Sequence, residues 1–167
     1  MIKKPVLWFC ILMLTACGGG SSTPIIQPIV SNQTPVPVPE ENPTSEVKFI
    51  TQTIDGRLVD RPYLIRYPEN ASETKYPVVF FFHDAGENGD LWLSNNKDVA
   101  DLIDDGKFIG IFPDGYLNKW NISSDANVDD VDFVSLIVNG LDTAGLFDLD
   151  KVFGVGTSNG AGLVNKI

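Results

Sequence analysis

Ser158 stands in Gly156-Thr157-Ser158-Asn159-Gly160, a G-x-S-x-G pentapeptide that follows the short run Lys151–Gly156 (KVFGVG). A serine in this setting is a candidate nucleophile. Where a strand turns sharply into a helix, the residue at the turn is strained and its hydroxyl is exposed. Glycines two positions before and after permit the close backbone approach. The helix start then offers free N–H groups to a developing oxyanion. Two other readings use the same residues. A plain strand-to-helix turn would employ Ser158 only as a helix cap. A dinucleotide fingerprint could begin at Gly154 and Gly156, but its sixth position is Asn159, and no acidic residue lies about 20 positions further on.

His83 is the only histidine. It lies in His83-Asp84-Ala85-Gly86, after the apolar run Val78–Phe82, and bare chemistry nominates it as a general base. Asp114, Asp129, Asp130 and Asp132 could suggest paired carboxylates or a metal site. Their positions favour a simpler reading: Asp114 sits in the turn Pro113-Asp114-Gly115, and the others crowd a helix start, where the dipole favours anions. The sequence supports no metal and no cofactor.

The surrounding elements place these residues. Val47–Ile54 and Leu58–Tyr67 are β-rich runs separated by Asp55-Gly56, a strong hairpin signal. VVFFF at 78–82 is a continuous apolar run, as in a strand buried on both faces. Asn96 to Asp105 reads as a short helix closed by Gly106, and Phe108–Phe112 as another buried strand. Val131, Val134, Ile137, Val138, Leu141 and Ala144 recur at helical spacing, with Gly145 as the stop. The alternation predicts an α/β fold: a mostly parallel sheet, an N-terminal antiparallel hairpin, and helices on both faces. Ligand sites in such sheets lie at the carboxyl ends of the strands. There fall His83–Gly86, Pro113–Gly115 and Gly156–Gly160.

PVVFFFHDAGENG (77–89), FIGIFPDG (108–115), Trp120-Asn121, VDDVDFVSLIV (128–138) and DLDKVFGVGTSNGAG (148–162) occur in one order at regular intervals. Together they resemble the polyhydroxybutyrate depolymerase and feruloyl-esterase-like branch of the secreted α/β-hydrolases, over roughly residues 47–167. The resemblance implies a serine esterase with Ser158 as nucleophile. It also implies an oxyanion hole from the backbone N–H of Asn159 and one from the His83–Gly86 loop. That branch has Gly directly after its His, where this chain has Asp84, so Ala85 and Asp84 are both candidates for the second donor. His83 would be structural. The triad in this fold runs Ser, then acid, then His, whereas only Ala161 to Ile167 follow Gly160. The chain is therefore expected to be the N-terminal half of an α/β-hydrolase, truncated after the nucleophile elbow and lacking the triad acid and base. Its last strand would then be an open, apolar edge, an aggregation liability.

The N-terminus adds location. Lys3 and Lys4 precede the nine-residue apolar run Val6–Leu14, too short for the ~20 residues that span a bilayer. Leu14-Thr15-Ala16-Cys17 resembles a bacterial lipobox. The expected organisation is a signal peptide over 1–16, a lipidated Cys17 with a Pro-rich tether over 17–45, and a hydrolase domain over 46–167. The protein would be exported and lipid-anchored to the cell envelope, in the outer membrane or otherwise secreted. Cys10 and Cys17 are the only cysteines, so the domain is expected to fold without disulfides. A net charge of −10 argues against nucleic acid as a partner. The expected partner is an ester substrate, a polyester or an acylated polysaccharide. A separate chain could complement the missing strands. The alternative from another class is a non-enzymatic, lipid-tethered surface binding module.

Overall fold

The computed structural model describes residues 44–71, 75–123, 127–141 and 145–167. The signal and lipidation expectations for residues 1–43, Cys17 included, lie outside the described residues, as does Ala144.

The first two strands, β1 (Ser45–Ile54) and β2 (Arg57–Arg66), pair antiparallel in continuous register from Ser45↔Arg66 to Ile54↔Arg57. Asp55 and Gly56 both have positive φ, 50° and 73°. This is the two-residue turn whose twist matches that of the flanking strands. Three further strands follow: β3 (Tyr76–Phe82), β4 (Ile109–Pro113) and β5 (Phe147–Gly156). The sheet order is β1-β2-β4-β3-β5. β4 is parallel to β3 and antiparallel to β2, and β5 is parallel to β3. The parallel part therefore centres on β3, and the hairpin extends it on the β4 side.

The chain passes from β3 to β4 through α1 (Gly89–Asn95) and α2 (Lys97–Asp104). It then returns from β4 across β3 to β5 through α3 (Asp130–Leu141), and α4 (Asn159–Val164) follows β5. Right-handed crossovers that step in opposite directions put their helices on opposite faces. The side chains of β3 show this. Phe80 and Phe82 pack into the cluster with Phe133, Ile137 and Leu163 of α3 and α4. Phe81 points the other way, onto Trp92 and Phe112, with ring centroids 4.8 and 4.9 Å apart. Both faces are covered, which is why 78–82 is apolar throughout.

Three departures from the sequence reading have physical causes. Helix α1 was not predicted, because seven residues are too few for a periodicity to show. Its start is marked by Asn88, whose Oδ1 accepts the Leu91 N–H at 2.8 Å, and by Asp90 in the first turn. The buried face of α3 is centred on Phe133 and Ile137, and Val131 is turned outward. Asp130, expected as a helix-start charge, is also buried.

Its partner is Arg61 of β2, 2 % exposed, with Nη2 2.6 Å from Asp130 Oδ1. Arg61 also donates to Gln52 Oε1 at 2.9 Å and to the Asp114 carbonyl at 3.1 Å. Its guanidinium lies 3.7 Å above the Phe133 ring centre. Burial pushes the Arg61 pKa down, and the adjacent Asp130 opposes that. One side chain thus ties the hairpin, α3 and the loop after β4 together. Strand β5 is an edge among the described residues and leaves Phe153 and Val155 exposed at 56 % and 45 %.

Candidate active site

The carboxyl ends of β3, β4 and β5 carry the three segments expected there, and hydrogen bonds join them. Thr157 N–H donates to the Phe82 carbonyl at 3.1 Å, continuing the β3–β5 pairing into the turn. Ser158 follows at φ 49°, ψ −110°, a region a non-glycine residue seldom occupies. Such a conformation costs on the order of 1–3 kcal/mol and persists only where the surroundings enforce it. Here they do. A Cβ on Gly160 would overlap the Phe82 and His83 carbonyl oxygens, and one on Gly156 would overlap the Gly160 backbone. Helix α4 can therefore lie against the end of β3 only with glycine at both positions. Ser158 is exposed and its side chain makes no cap bond to α4. The plain-cap reading does not describe it.

His83 is fully buried. Gly115 N–H donates to its Nε2 at 2.9 Å, which makes Nε2 the bare nitrogen, and Nδ1 faces the Asp84 carbonyl at 2.6 Å. The Trp120 indole N–H donates to the His83 carbonyl at 2.9 Å, and the two rings are 4.8 Å apart. Nε2 thus ties the loop after β3 to the loop after β4, and Nδ1 closes onto its own loop. The imidazole has no nitrogen free for Ser158, as a base would require.

The loop residue Asp84 has an unexpected place. Its Oδ1 accepts from the Ala85 N–H at 2.6 Å and from the Asn159 N–H at 3.4 Å. The Ser158 hydroxyl also hydrogen-bonds the Asp84 carboxylate. Together with the Ala85 and Asn159 N–H groups, it holds Asp84 below the ordinary aspartate pKa. The structure thus brings Ser158, Asn159, Ala85 and Asp84 together. The backbone N–H of Asp84 turns away to Glu87 Oε2, 3.4 Å distant, so of the two loop candidates only Ala85 aims its N–H at the shared point. Two N–H groups converging beside a serine hydroxyl are what acyl transfer needs at a developing oxyanion.

The remaining acidic candidates serve the scaffold. Asp114 Oδ1 accepts from Gly89 N–H at 2.7 Å, and Asp129 Oδ1 caps α3 through Asp132 N–H at 2.8 Å. Asp130 binds Arg61, and its Oδ2 accepts from Asn121 N–H. Sequence reasoning missed the side chain of Asn159, which bonds Trp120 and so sets the angle of the elbow. An Asn directly after the candidate nucleophile was the available signal.

Solved structures share this arrangement of strands and helices. An acetyl xylan esterase from Aspergillus awamori superposes with a TM-score of 0.53 at 20 % identity, over 70 % of this chain and 44 % of its own. A ferulic acid esterase gives 0.52 at 21 % identity, over 71 % of this chain and 52 % of its own. An S-formylglutathione hydrolase from Staphylococcus aureus gives 0.52 at 10 % identity, over 70 % and 48 %. This is the α/β-hydrolase fold. The chain spans about half the length of the solved hydrolases it resembles. No protein-family model and no curated protein sequence matches it. At these identities the likeness establishes the hydrolase fold, and the residues of the site rest on the geometry above.

Proposed function

We propose that the chain carries the nucleophile half of a serine ester hydrolase. The observation behind this reading is the strained, exposed Ser158 at the β5–α4 elbow, beside the converging Ala85 and Asn159 N–H groups. Ser158 Oγ would attack the ester carbonyl carbon, its proton would pass to a base, and the carbonyl oxygen would take the negative charge between the two N–H groups. Collapse expels the alcohol and leaves an acyl-enzyme, which water hydrolyses. The substrate class is a carboxylic ester, a polyester or acylated polysaccharide as for polyhydroxybutyrate depolymerases and feruloyl esterases. The fold shared with an acetyl xylan esterase and a ferulic acid esterase supports that class by analogy. Export and a lipid anchor at Cys17 complete the proposal.

With His83 engaged at both nitrogens, this chain offers no free imidazole to activate Ser158 or the deacylating water. Acylation would be slow and deacylation slower. The test is incubation of the full chain with p-nitrophenyl acetate, following p-nitrophenol release and locating acetyl by peptide mass spectrometry. Slow release with acetyl trapped on Ser158 is expected, and Ser158→Ala removes both. Release that is undiminished in Ser158→Ala sinks the reading.

One observation favours a second reading, a lipid-tethered surface module that binds without turnover: an anionic side chain already sits on the two N–H groups. That module would show no Ser158-dependent acetylation at all.

A further inference from the structure

The two N–H groups that would hold an oxyanion come from residues far apart in sequence, yet they point at one atom, Asp84 Oδ1. An ester carbonyl oxygen gathering negative charge needs the same two donors, at about 2.7–3.1 Å from each. A carboxylate and an oxyanion cannot share them, because like charges at contact repel and each donor hydrogen serves one acceptor well. The Ser158 hydroxyl is the foremost of the neighbours that favour the ionised Asp84 carboxylate. The carboxylate can leave. Asp84 is only partly buried, Ala85 and Gly86 are exposed, and the loop is anchored on either side of Asp84: His83 by Gly115 and Trp120, Gly86 by the Asn118 carbonyl at 2.7 Å. Rotation about its own side-chain bonds would carry the carboxylate to solvent without moving those anchors.

We infer that Asp84 is an autoinhibitory plug, a built-in stand-in for the oxyanion that an ester must displace before Ala85 and Asn159 can hold its carbonyl oxygen. The inference rests on the reading of Ser158 as nucleophile. Its consequence is that ligands of the tetrahedral type bind with an affinity reduced by the fraction of molecules in which Asp84 has swung out.

Phenylboronic acid tests this in the full chain. Ser158 Oγ bonds boron, the hydroxyl proton goes to buffer, and the tetrahedral boronate carries the negative charge with an oxygen within reach of the two donors. Affinity is read by boron NMR in wild type, Asp84→Asn, Asp84→Gly and each combined with Ser158→Ala. Asp84→Asn is expected to bind at least about tenfold more tightly than wild type. Asp84→Gly should bind more tightly still, and Ser158→Ala should abolish binding in every background. Equal affinities in wild type and both Asp84 variants, with the Ser158 dependence intact, overturn the plug and leave the nucleophile standing. Absence of Ser158-dependent binding in every variant that retains a cooperative melt overturns both.

Discussion

Asn159 and Trp120 are joined twice: Asn159 Oδ1 accepts the Trp120 backbone N–H at 2.8 Å, and its Nδ2 donates to the Trp120 carbonyl at 3.1 Å. The side chain of the residue after Ser158 thereby substitutes for a strand partner. It fixes the start of α4 against the segment that carries the fully buried Trp120. Asn159→Ala leaves two backbone groups without these partners, and each unsatisfied group costs about 1–3 kcal/mol where water is excluded. A lower denaturant midpoint is expected, together with slower acetylation of Ser158, since the Asn159 N–H loses its aim. Unchanged values of both would show that the pairing does not position the elbow.

Breaking the Arg61–Asp130 pair should be costly. Arg61→Ala leaves a carboxylate buried without its counter-charge, and loss of one partner of such a pair costs about 3–5 kcal/mol. It also removes the donors to Gln52 and to the Asp114 carbonyl. Urea unfolding of Arg61→Ala, Asp130→Leu and the double variant reads this. The double variant should be destabilised less than the sum of the singles. Simple additivity would mean that the charges do not interact.

Two glycines should respond to alanine with opposite sign. At Gly160 the added methyl meets the Phe82 and His83 carbonyl oxygens, and overpacking of that kind costs about 1–3 kcal/mol. At Gly140, exposed in α3 with nothing within 4 Å, alanine relieves the entropy of glycine and stabilises by about 0.5–1 kcal/mol. Thermal melts of Gly160→Ala and Gly140→Ala decide. A stabilising Gly160→Ala would contradict the close approach of α4 to β3.

Acid should release the plug late. Hydrogen bonds from Ser158 first, then from Ala85 and Asn159, favour the ionised form of Asp84 and depress its pKa. A carboxyl whose folded pKa is depressed contributes stability above its unfolded-state value, and loses it as pH falls through the folded value. Carboxyl carbon NMR of Asp84 should therefore give a midpoint below the ordinary aspartate range. The Ala85 and Asn159 amide protons should move with the same midpoint, and Ser158→Ala should raise it. Flat amide shifts across that range would place the carboxylate elsewhere.

Much of the scaffold was legible because it is local. Asp55-Gly56 specifies a tight hairpin through the backbone freedom of two adjacent residues. VVFFF at 78–82 specifies a strand covered on both faces, and Phe80, Phe81 and Phe82 are indeed buried on alternate sides. The glycines flanking Ser158 mark an elbow because the turn itself needs them. Helix α1 was the exception, too short for a repeat to rise above its surroundings.

The sequence by itself determined the strands, every helix but α1, their order, the elbow, and which loops meet at the carboxyl ends of β3, β4 and β5. The resemblance to secreted α/β-hydrolases added that Asp84 stands where that branch has Gly. Only the tertiary structure decided where the Asp84 carboxylate points, that Arg61 is a buried post joining the hairpin, α3 and the loop after β4, and that Asn159 grips Trp120. Each of these is a contact between segments distant in the chain. Periodicity and turn chemistry act over a few residues, so they fix backbone paths. The direction of a polar side chain between two loops depends on which donors the fold happens to bring within 3 Å or so, and that is set by the packing of the whole sheet.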